Sequence, residues 1–277
     1  MKRYVKSCLC AGLFWLAQTG TLAAQSYHLF NPVPRERMRE MSTDRPDTTE
    51  SPHTVDAGHV QIEMDPIVLS YDRGPSHRRT EFAVAATNMK AGLLPFMDLQ
   101  VVLEPYHHSE LEPMAEDAVT GDPIVDDGYG ATTVRLKMNV WGNDEGSTAF
   151  ALMPFVSHDD GVTDFGLIAP IGGDLPGDFG YGLMLEGDVV TIDDEGQRGF
   201  ELVATATLGH DIIGPLGGYV EVASMYAAYQ ADQSTLALDA GLTLGLLDDL
   251  QLDSGARVGA AGPIDDVQVF AGLSARL

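Results

Sequence analysis

Two short stretches carry the residue types of nucleophilic catalysis. Residues 107–110 (HHSE) and residues 157–160 (SHDD) each hold a hydroxyl, an imidazole and a carboxylate. A serine nucleophile needs a histidine within hydrogen-bond reach, and a carboxylate must orient that histidine. Both stretches end candidate β-strands, on which adjacent side chains point to opposite faces, so neither forms a catalytic triad by itself. A triad assembled from both stretches is one alternative.

The same histidine and aspartate residues could bind a divalent cation, because oxygen ligands suit calcium. Acidic stretches of this kind more often simply face solvent. The sequence has no phosphate-binding glycine loop and no zinc-protease helix motif, and its two cysteines are Cys8 and Cys10. We therefore expect no metal site and no cofactor.

A larger set of charged residues falls on one face of the candidate strands. Side chains of a strand alternate with period two, so residues two positions apart share a face. The opposite face of the same strands is apolar. The charged set is Glu63, Glu81, Glu104, Arg135, Lys137, Glu201, Glu221, Asp239, Asp253 and Arg257.

The elements that position these residues are predicted to be β-strands. From His59 onward apolar and polar residues alternate, and no window approaches the roughly 20 apolar residues of a membrane-spanning helix. Most of the alternating runs reach the roughly 9–11 residues that cross a bilayer as a tilted strand. We predict strands at 59–71, 80–93, 97–110, 129–141, 148–157, 162–171, 179–192, 199–210, 217–229, 234–246, 250–260 and 266–277.

The last of these strands indicates how the sheet ends. Residues 266–277 (DVQVFAGLSARL) alternate to the final position, which is rare in a soluble domain. The final strand of a transmembrane barrel has this pattern because it pairs with the first strand and closes the sheet. The sequence therefore predicts an all-β fold: a transmembrane, antiparallel, up-and-down β-barrel of about 12 strands over residues 59–277, an even number as in bacterial outer membranes. A soluble periplasmic β-sandwich is the competing fold.

Connections and aromatic residues give weaker support. The longest connection, residues 110–128, is strongly acidic and is expected on the outer side of the membrane. Short periplasmic turns are expected at 94–95 and 247–249, and longer ones at 172–178 and 210–216. Aromatic residues near both predicted strand ends resemble the two interfacial girdles of such barrels.

The first 24 residues are predicted to be a cleaved export signal. Basic residues at positions 2, 3 and 6 precede an apolar stretch at 8–17, and the small residues at 21–24 suit cleavage. Because this stretch holds three basic and no acidic residues, its removal moves the formal charge from −25 to −28. So acidic a chain is not expected to bind nucleic acid.

Residues 25–58 differ from the rest of the chain. They are rich in proline and arginine and have little hydrophobic periodicity, which is typical of a disordered tail. Their centre, residues 42–52, combines Asp, Thr, Ser and Pro in a way that favours compact turns. A second interpretation is a segment that docks in the lumen as a partial plug, with Arg45 pairing a lumen carboxylate.

Both ends of the chain resemble one known family. The motif residues are Thr43, Asp44, Arg45, Pro46, Asp47, Thr49, Glu50, Ser51 and Pro52, followed by Val55 and residues 58–63 (GHVQIE); residues 238–241, 248–253 and 269–276 resemble the family's ending. This pattern is similar to the outer-membrane "transporter" family named for the meta pathway of phenol degradation. The resemblance implies a bacterial outer-membrane β-barrel of undefined substrate, and the family name points to aromatic compounds. One departure is Leu277, where such barrels typically end in Phe or Trp.

The predicted function is a channel or transporter for small solutes, hydrophobic or aromatic ones included, in the bacterial outer membrane. The expected partners are outer-membrane lipid, the barrel-insertion machinery and the solute. The inward charges either form a structural ladder across the lumen or line a water-filled path whose acidic excess selects cations. The alternatives are a lipase-like or protease-like barrel with its catalytic residues at the rim, and a structural barrel with a blocked lumen.

Overall fold

The protein is described by a computed structural model that covers residues 27–115, 118–144, 146–193 and 195–277. The predicted export signal lies outside these described residues. The described residues include two short 3₁₀ helices, at Arg35–Arg37 and Ala231–Gln233. In the described part of the chain, no helix has both the length and the apolar character needed to cross a membrane.

Strands make up almost all of the rest. The described residues form fifteen strand segments. They are β1 (Val60–Arg73), β2 (His77–Leu94), β3 (Met97–Leu103), β4 (Tyr106–Ala115), β5 (Ala118–Val119), β6 (Ile124–Gly128), β7 (Thr132–Trp141), β8 (Thr148–Asp159), β9 (Val162–Leu175), β10 (Phe179–Thr191), β11 (Arg198–Ile213), β12 (Leu216–Ala227), β13 (Thr235–Leu247), β14 (Leu250–Ala261) and β15 (Val267–Arg276).

The strands close into a single antiparallel barrel. Each barrel strand pairs with its neighbours along the chain, and β15 pairs with β1, for example through Ile62 and Ala275. The segments β3 and β4 both pair with β2 and act as one barrel strand, and β6 and β7 act as another. The result is the closed barrel of twelve strands that the sequence predicted. The very short β5 is not a barrel strand and pairs with the end of β4.

The structure corrects one predicted connection on the outer side. Residues 110–128 were expected to form a long acidic loop, but most of them belong to β4 and β6, which pair with each other from His107–Gly128 to Leu111–Ile124. A strand that extends beyond the membrane needs no apolar face, so its ladder forms without an alternating sequence signal. The predicted strand 97–110 is also interrupted, at residues 104–105, between β3 and β4.

Two predicted turns on the opposite side are shorter than expected. The ladder between β9 and β10 continues to Leu175 and Phe179, and the ladder between β11 and β12 continues to Ile213 and Leu216. The turns therefore span only residues 176–178 and 214–215. Glycines near these strand ends, such as Gly172, weaken the hydrophobic alternation by which strands are recognised in sequence.

The polarity of the wall is inverted relative to a soluble protein. Large apolar side chains are exposed on the outer surface, and polar side chains are buried on the inner one, as expected for a barrel surrounded by lipid. The exposed set includes Val60, Leu69, Leu99, Val134, Val156, Leu167, Leu185, Leu202, Val220, Leu238, Leu252, Val258 and Val269. The buried polar set includes Gln61, Glu63, Lys90, Asp98, Gln100, Lys137, Thr205, Glu221, Asp239, Asp253 and Ser274.

We expect a charge on the outer surface to destabilise the barrel in proportion to its depth in the membrane. Leu185 lies at the middle of β10 and Val267 at the start of β15, on the same face as Val269, and both are exposed. Leu185→Arg should lower the free energy of unfolding in lipid vesicles by about 2–4 kcal/mol, and Val267→Arg by about 0–1 kcal/mol. Denaturant titration of both variants checks this, and equal losses would contradict the assignment of a lipid-facing band.

Candidate functional site

A segment before β1 enters the barrel and returns; residues 39–58 are called the lumen loop here. Its base is attached to the wall, where the Gly58 amide donates to the Gly92 carbonyl at 2.8 Å. Gly92 is required at this contact, because a Cβ there would lie 2.0 Å from the Asp56 carbonyl oxygen. Within the loop, the hydroxyls of Ser42 and Ser51 lie 2.7 Å apart. The loop is therefore folded on itself with residues 45–50 at its tip.

Asp44 of the lumen loop lies between two lysines of the wall. Its carboxylate oxygens are each 2.5 Å from a lysine Nζ, one from Lys90 and the other from Lys137. Lys90 also pairs with Glu63, whose carboxylate accepts the Asp44 amide at 3.1 Å. Burial alone would raise the pKa of Asp44, but the two lysines hold it well below its usual range. These four buried charges join the loop to β1, β2 and β7.

Arg45 makes the second set of ionic contacts. Its Nη2 donates to Asp253 Oδ1 at 2.7 Å and its Nε to Asp253 Oδ2 at 3.3 Å, and it also pairs with Asp65. The bidentate geometry is the strong form of an arginine–carboxylate contact. Gly272 leaves room for the guanidinium, because a Cβ at that position would lie 2.1 Å from Arg45 Nη2.

The tip of the lumen loop is held by hydrogen bonds to Glu221. The amides of Thr48 and Thr49 each donate to this carboxylate at 2.8 Å, and the Thr49 hydroxyl donates to it at 2.5 Å. Arg257 contacts Thr48 and pairs with Asp239 at 2.9 Å. A carboxylate that accepts two consecutive backbone amides fixes the main chain as well as the side chains of the tip.

The remaining contacts tie the loop to the opposite wall and to its base. Glu50 pairs with Arg135 at 2.5 Å, and the Val55 amide donates to Asp98 at 2.9 Å. At the base, Asp56 pairs with Arg39 at 2.9 Å and with Arg276 at 3.4 Å. The loop therefore contacts wall residues from β1 to β15 around the whole barrel.

Two cavities lie on either side of the loop tip. The turn-side cavity, about 470 Å³, lies near the short turns at residues 176–178 and 214–215. The hairpin-side cavity, about 280 Å³, lies toward the hairpin formed by β4 and β6. Both are lined by Pro46, Asp47 and Glu50. Burial and the neighbouring Glu221 raise the pKa of Asp47 to about 7. Burial and the neighbouring Asp44 raise the pKa of Glu50 to about 7, although Arg135 opposes the shift. These two carboxyls therefore titrate near neutral pH.

The turn-side cavity is strongly acidic. Among the described residues, its lining includes four acidic side chains and neither lysine nor arginine. A large part of its wall is glycine, from β9, β10, β11 and β12, which leaves space where side chains would otherwise fill the barrel. The four acidic residues are Asp47, Glu50, Asp174 and Asp211.

The charged residues proposed from sequence do not all meet in one place. Glu63, Lys137, Arg135, Glu221, Asp239, Asp253 and Arg257 contact the lumen loop or a residue that does. Three lie apart: Glu81 bonds to Ser109 at 2.9 Å, Glu201 to Tyr229 at 2.6 Å, and Glu104 is exposed beside the hairpin-side cavity. Sequence reasoning left Lys90, Asp98 and Arg276 out of the set, although each falls at a polar position of an alternating strand.

The two serine and histidine stretches do not form a catalytic arrangement. Ser109 bonds to Glu81 and Ser157 to Thr133, at 2.9 and 2.8 Å, while His158 bonds to Thr163 at 2.9 Å. The His108 ring packs on Phe82 with 5.0 Å between ring centroids. Among the described residues, no group of three or more histidine, cysteine, aspartate or glutamate side chains could hold a metal ion.

The closed barrel, its apolar outer band and its polar lumen define an outer-membrane protein of the porin-like class. The chain belongs to the family described as "Putative MetA-pathway of phenol degradation", whose pattern matches residues 43–277. This confirms the family suggested by the two ends of the sequence. No curated protein matches the sequence.

One solved outer-membrane channel resembles the fold, and two further structures are similar at lower scores. The COG4313 outer membrane channel from Pseudomonas putida F1 is 10% identical, with a TM-score of 0.55, and the match covers 85% of this chain and 100% of that chain. The NanC porin is 9% identical, with a TM-score of 0.49 and coverage of 79% and 100%. The autotransporter AIDA-I transport unit from Escherichia coli is 11% identical, with a TM-score of 0.48 and coverage of 84% and 91%.

We expect Asp44→Asn to release the lumen loop. Removing one partner of a buried ion pair costs about 3–5 kcal/mol, because the remaining charges are left uncompensated. Lys90 and Lys137 would then face each other across a neutral side chain, and the loop should become accessible. A glutamate-specific protease should cleave after Glu50, at the loop tip, faster in this variant than in the unmodified folded barrel. Glu40→Gln, at an exposed position near the base, is the control and should cleave at the original rate. Unchanged cleavage in Asp44→Asn would contradict an ionic attachment of the loop.

Proposed function

We propose that the protein is an outer-membrane channel for small solutes whose lumen is closed at rest by the lumen loop. The observation that carries this proposal is the pair of cavities separated by the loop tip, both lined by Pro46, Asp47 and Glu50. The tip is held by ion pairs and hydrogen bonds, which can exchange with water. A solute can pass from one cavity to the other only if this tip moves.

The charges in the lumen favour cationic and neutral solutes. In the part of the chain that the structure describes, the turn-side cavity is lined by four acidic residues and by no lysine or arginine. Rings of acidic side chains select cations in channels. Hydrophobic and aromatic solutes, which the family description suggests, are compatible with this path when they are uncharged.

Several further properties belong to the same proposal. Residues 1–24 are removed on export, and the mature barrel contacts outer-membrane lipid and the insertion machinery. The protein carries out no covalent chemistry, since the serines of the two rim stretches bond to Glu81 and Thr133 rather than to histidine. An outer-membrane enzyme would need a nucleophile with an adjacent base.

The proposal is tested by conductance of the refolded mature protein in a planar bilayer. The key variant replaces residues 43–51 with a Gly-Ser linker of equal length and carries Lys137→Gln, which removes the lysine left without Asp44, while Lys90 keeps Glu63 as its partner. We expect larger or more frequent conductance steps in this variant than in the unmodified protein. A gel comparing unheated and boiled samples verifies folding of each.

Two results would overturn parts of the proposal. Equal conductance in both proteins would mean that the lumen loop does not close the path. Absence of conductance from both, in folded protein, would reject the channel and favour a structural barrel with a blocked lumen.

Cation selectivity is expected to rise with pH. Asp47 and Glu50, with pKa values raised to about 7, are largely neutral below this pH and charged above it. The ratio of cation to anion permeability, from reversal potentials in a salt gradient, should therefore increase between about pH 5.5 and about pH 8.5. The double variant Asp47→Asn/Glu50→Gln should flatten this dependence. Asp232→Asn, exposed in an outer connection, should leave it unchanged. A pH profile that persists in the double variant would contradict the assignment.

A further inference from the structure

A short turn near the start of the described chain lies outside the barrel; residues 28–31 are called the N-terminal turn here. The His28 amide donates to the Asn31 carbonyl at 3.0 Å, and the Asn31 amide donates back to the His28 carbonyl at 2.8 Å. Leu29 and Phe30 form the tip between them. This reciprocal pair is the pattern of a two-residue hairpin turn, so the tip has one defined backbone geometry.

The N-terminal turn is joined both to the wall and to the base of the lumen loop. The Leu29 amide donates to the carbonyl of Leu93, at the end of β2, at 2.9 Å. The Val33 amide, just after the turn, donates at 3.0 Å to the carbonyl of Ala57, which is fully buried. The turn and the lumen loop are therefore held to each other as well as to the sheet.

All four amides of the N-terminal turn have acceptors within the protein. Besides the bonds given above for His28, Leu29 and Asn31, the Phe30 amide donates to His28 Nδ1 at 3.2 Å. A backbone amide that enters lipid must be satisfied internally, because acyl chains offer no acceptor. The turn meets this requirement for its donors, whereas a loop whose amides bond to water would not.

The side chains at the tip are left uncovered by the protein. Phe30 is 87% exposed, the largest value for a large apolar side chain among the described residues, and Leu29 is exposed as well. A phenylalanine ring in water lacks the stabilisation that burial of its apolar area would supply. Scattered apolar residues are common on protein surfaces, so the surface around this ring determines how it is interpreted.

That surface is the end of the lipid-facing band of the barrel. The Leu277 amide donates at 2.8 Å to the carbonyl of Val60, and both side chains are exposed. Phe96, in the turn between β2 and β3, is exposed at the same end. Because Leu29 bonds to Leu93 at the end of β2, the tip continues this apolar surface below the wall.

The N-terminal turn lies at the end of the barrel that carries the short turns. Short turns of outer-membrane barrels face the periplasm, where the leaflet consists of phospholipid. Aromatic rings are favoured at this depth, between acyl chains and headgroups. The closing strand ends in Leu277 and has no aromatic residue there, so Phe30 supplies a ring at this end from outside the sheet.

We infer that the N-terminal turn is an interfacial anchor that inserts Leu29 and Phe30 into the phospholipid leaflet on the periplasmic side. Through Val33 and Ala57, the anchor holds the base of the lumen loop at the level of the membrane surface. This lipid contact belongs to a segment outside the barrel, and it does not depend on conduction through the lumen.

Hydroxyl-radical footprinting of the unmodified mature protein in phospholipid vesicles tests the insertion. Since the protein covers so little of Phe30, only lipid can shield the ring from oxidation. We expect oxidation of Phe30 to fall well below its rate in the same chain unfolded in urea, as for Phe96. Oxidation of Phe30 at the unfolded rate, with Phe96 protected, would overturn the anchor.

Tryptophan fluorescence gives an independent measurement. Removal of residues 1–24 leaves Trp141 as the single tryptophan, and Trp141→Phe provides a silent background. In vesicles of lipid brominated near the headgroup end of the acyl chains, Phe30→Trp should lose most of its fluorescence, like Phe96→Trp at the wall. Asp232→Trp, in an outer connection, should keep its fluorescence. A tryptophan at position 30 that behaves like the one at position 232 would contradict insertion.

Hydrogen exchange tests the hold on the lumen loop. Leu29→Ser/Phe30→Ser should speed exchange of the Val33 amide in vesicles, because the tip no longer partitions into lipid. Ile212→Ser/Ile213→Ser removes an exposed apolar pair at the same end of the barrel and should leave the Val33 amide unchanged. Equal exchange in both variants would reject the role of the anchor in holding the loop. Conductance of the same preparations reports the channel separately, so either proposal can fail alone.

Discussion

Every charge removed from water in this barrel needs a partner, and this requirement determines how the interior is filled. The wall places Lys90 and Lys137 inside, where Glu63 of β1 pairs with Lys90 and Asp98 of β3 lies opposite Lys137 in the ladder. Asp44, from another part of the chain, adds a carboxylate that pairs with both lysines. The lumen loop therefore contributes to the charge balance of the wall and also fills part of the lumen.

The interior is not uniform around the barrel. Met153, Ile168 and Met184, on β8, β9 and β10, form a small apolar cluster, whereas the wall from β13 through β1 to β3 is largely polar. The contacts of the lumen loop differ in the same way, since the ion pairs of Asp44 and Arg45 are made with the polar part of the wall. On the apolar side the contact is weaker, with the Glu50 amide 3.4 Å from the Met184 sulfur.

The sequence predicted the architecture because lipid imposes a strict rule. Outward residues must be apolar, so strands such as β13 and β15 have a clear alternation of apolar and polar residues in the sequence. The rule fails where lipid is absent, and the paired strands β4 and β6 beyond the membrane were therefore mistaken for a loop. It also fails at Pro105, because one proline does not reveal whether a strand ends or only bends there.

The candidate site was only partly accessible from sequence. The sequence indicated that Arg45 has a carboxylate partner in the lumen, yet Asp253 lies 208 positions away. Choosing it among the inward acids requires the register of a closed sheet. Lys90 is one of three lysine and arginine residues on β2, and its role depends on Asp44, a contact without any local signal. Side-chain pairings that depend on closure of the barrel therefore cannot be predicted from the sequence pattern alone.

Arg276 couples closure of the barrel to the position of the lumen loop. It lies at the end of β15, the strand that closes the barrel against β1, and its guanidinium donates to the Arg39 carbonyl at 2.9 Å and to Asp249 at 2.8 Å. One side chain therefore fastens the base of the lumen loop to the strand pair that completes the wall. A change that weakens this strand pair consequently also weakens the attachment of the loop, so the integrity of the wall and the filling of the interior are linked.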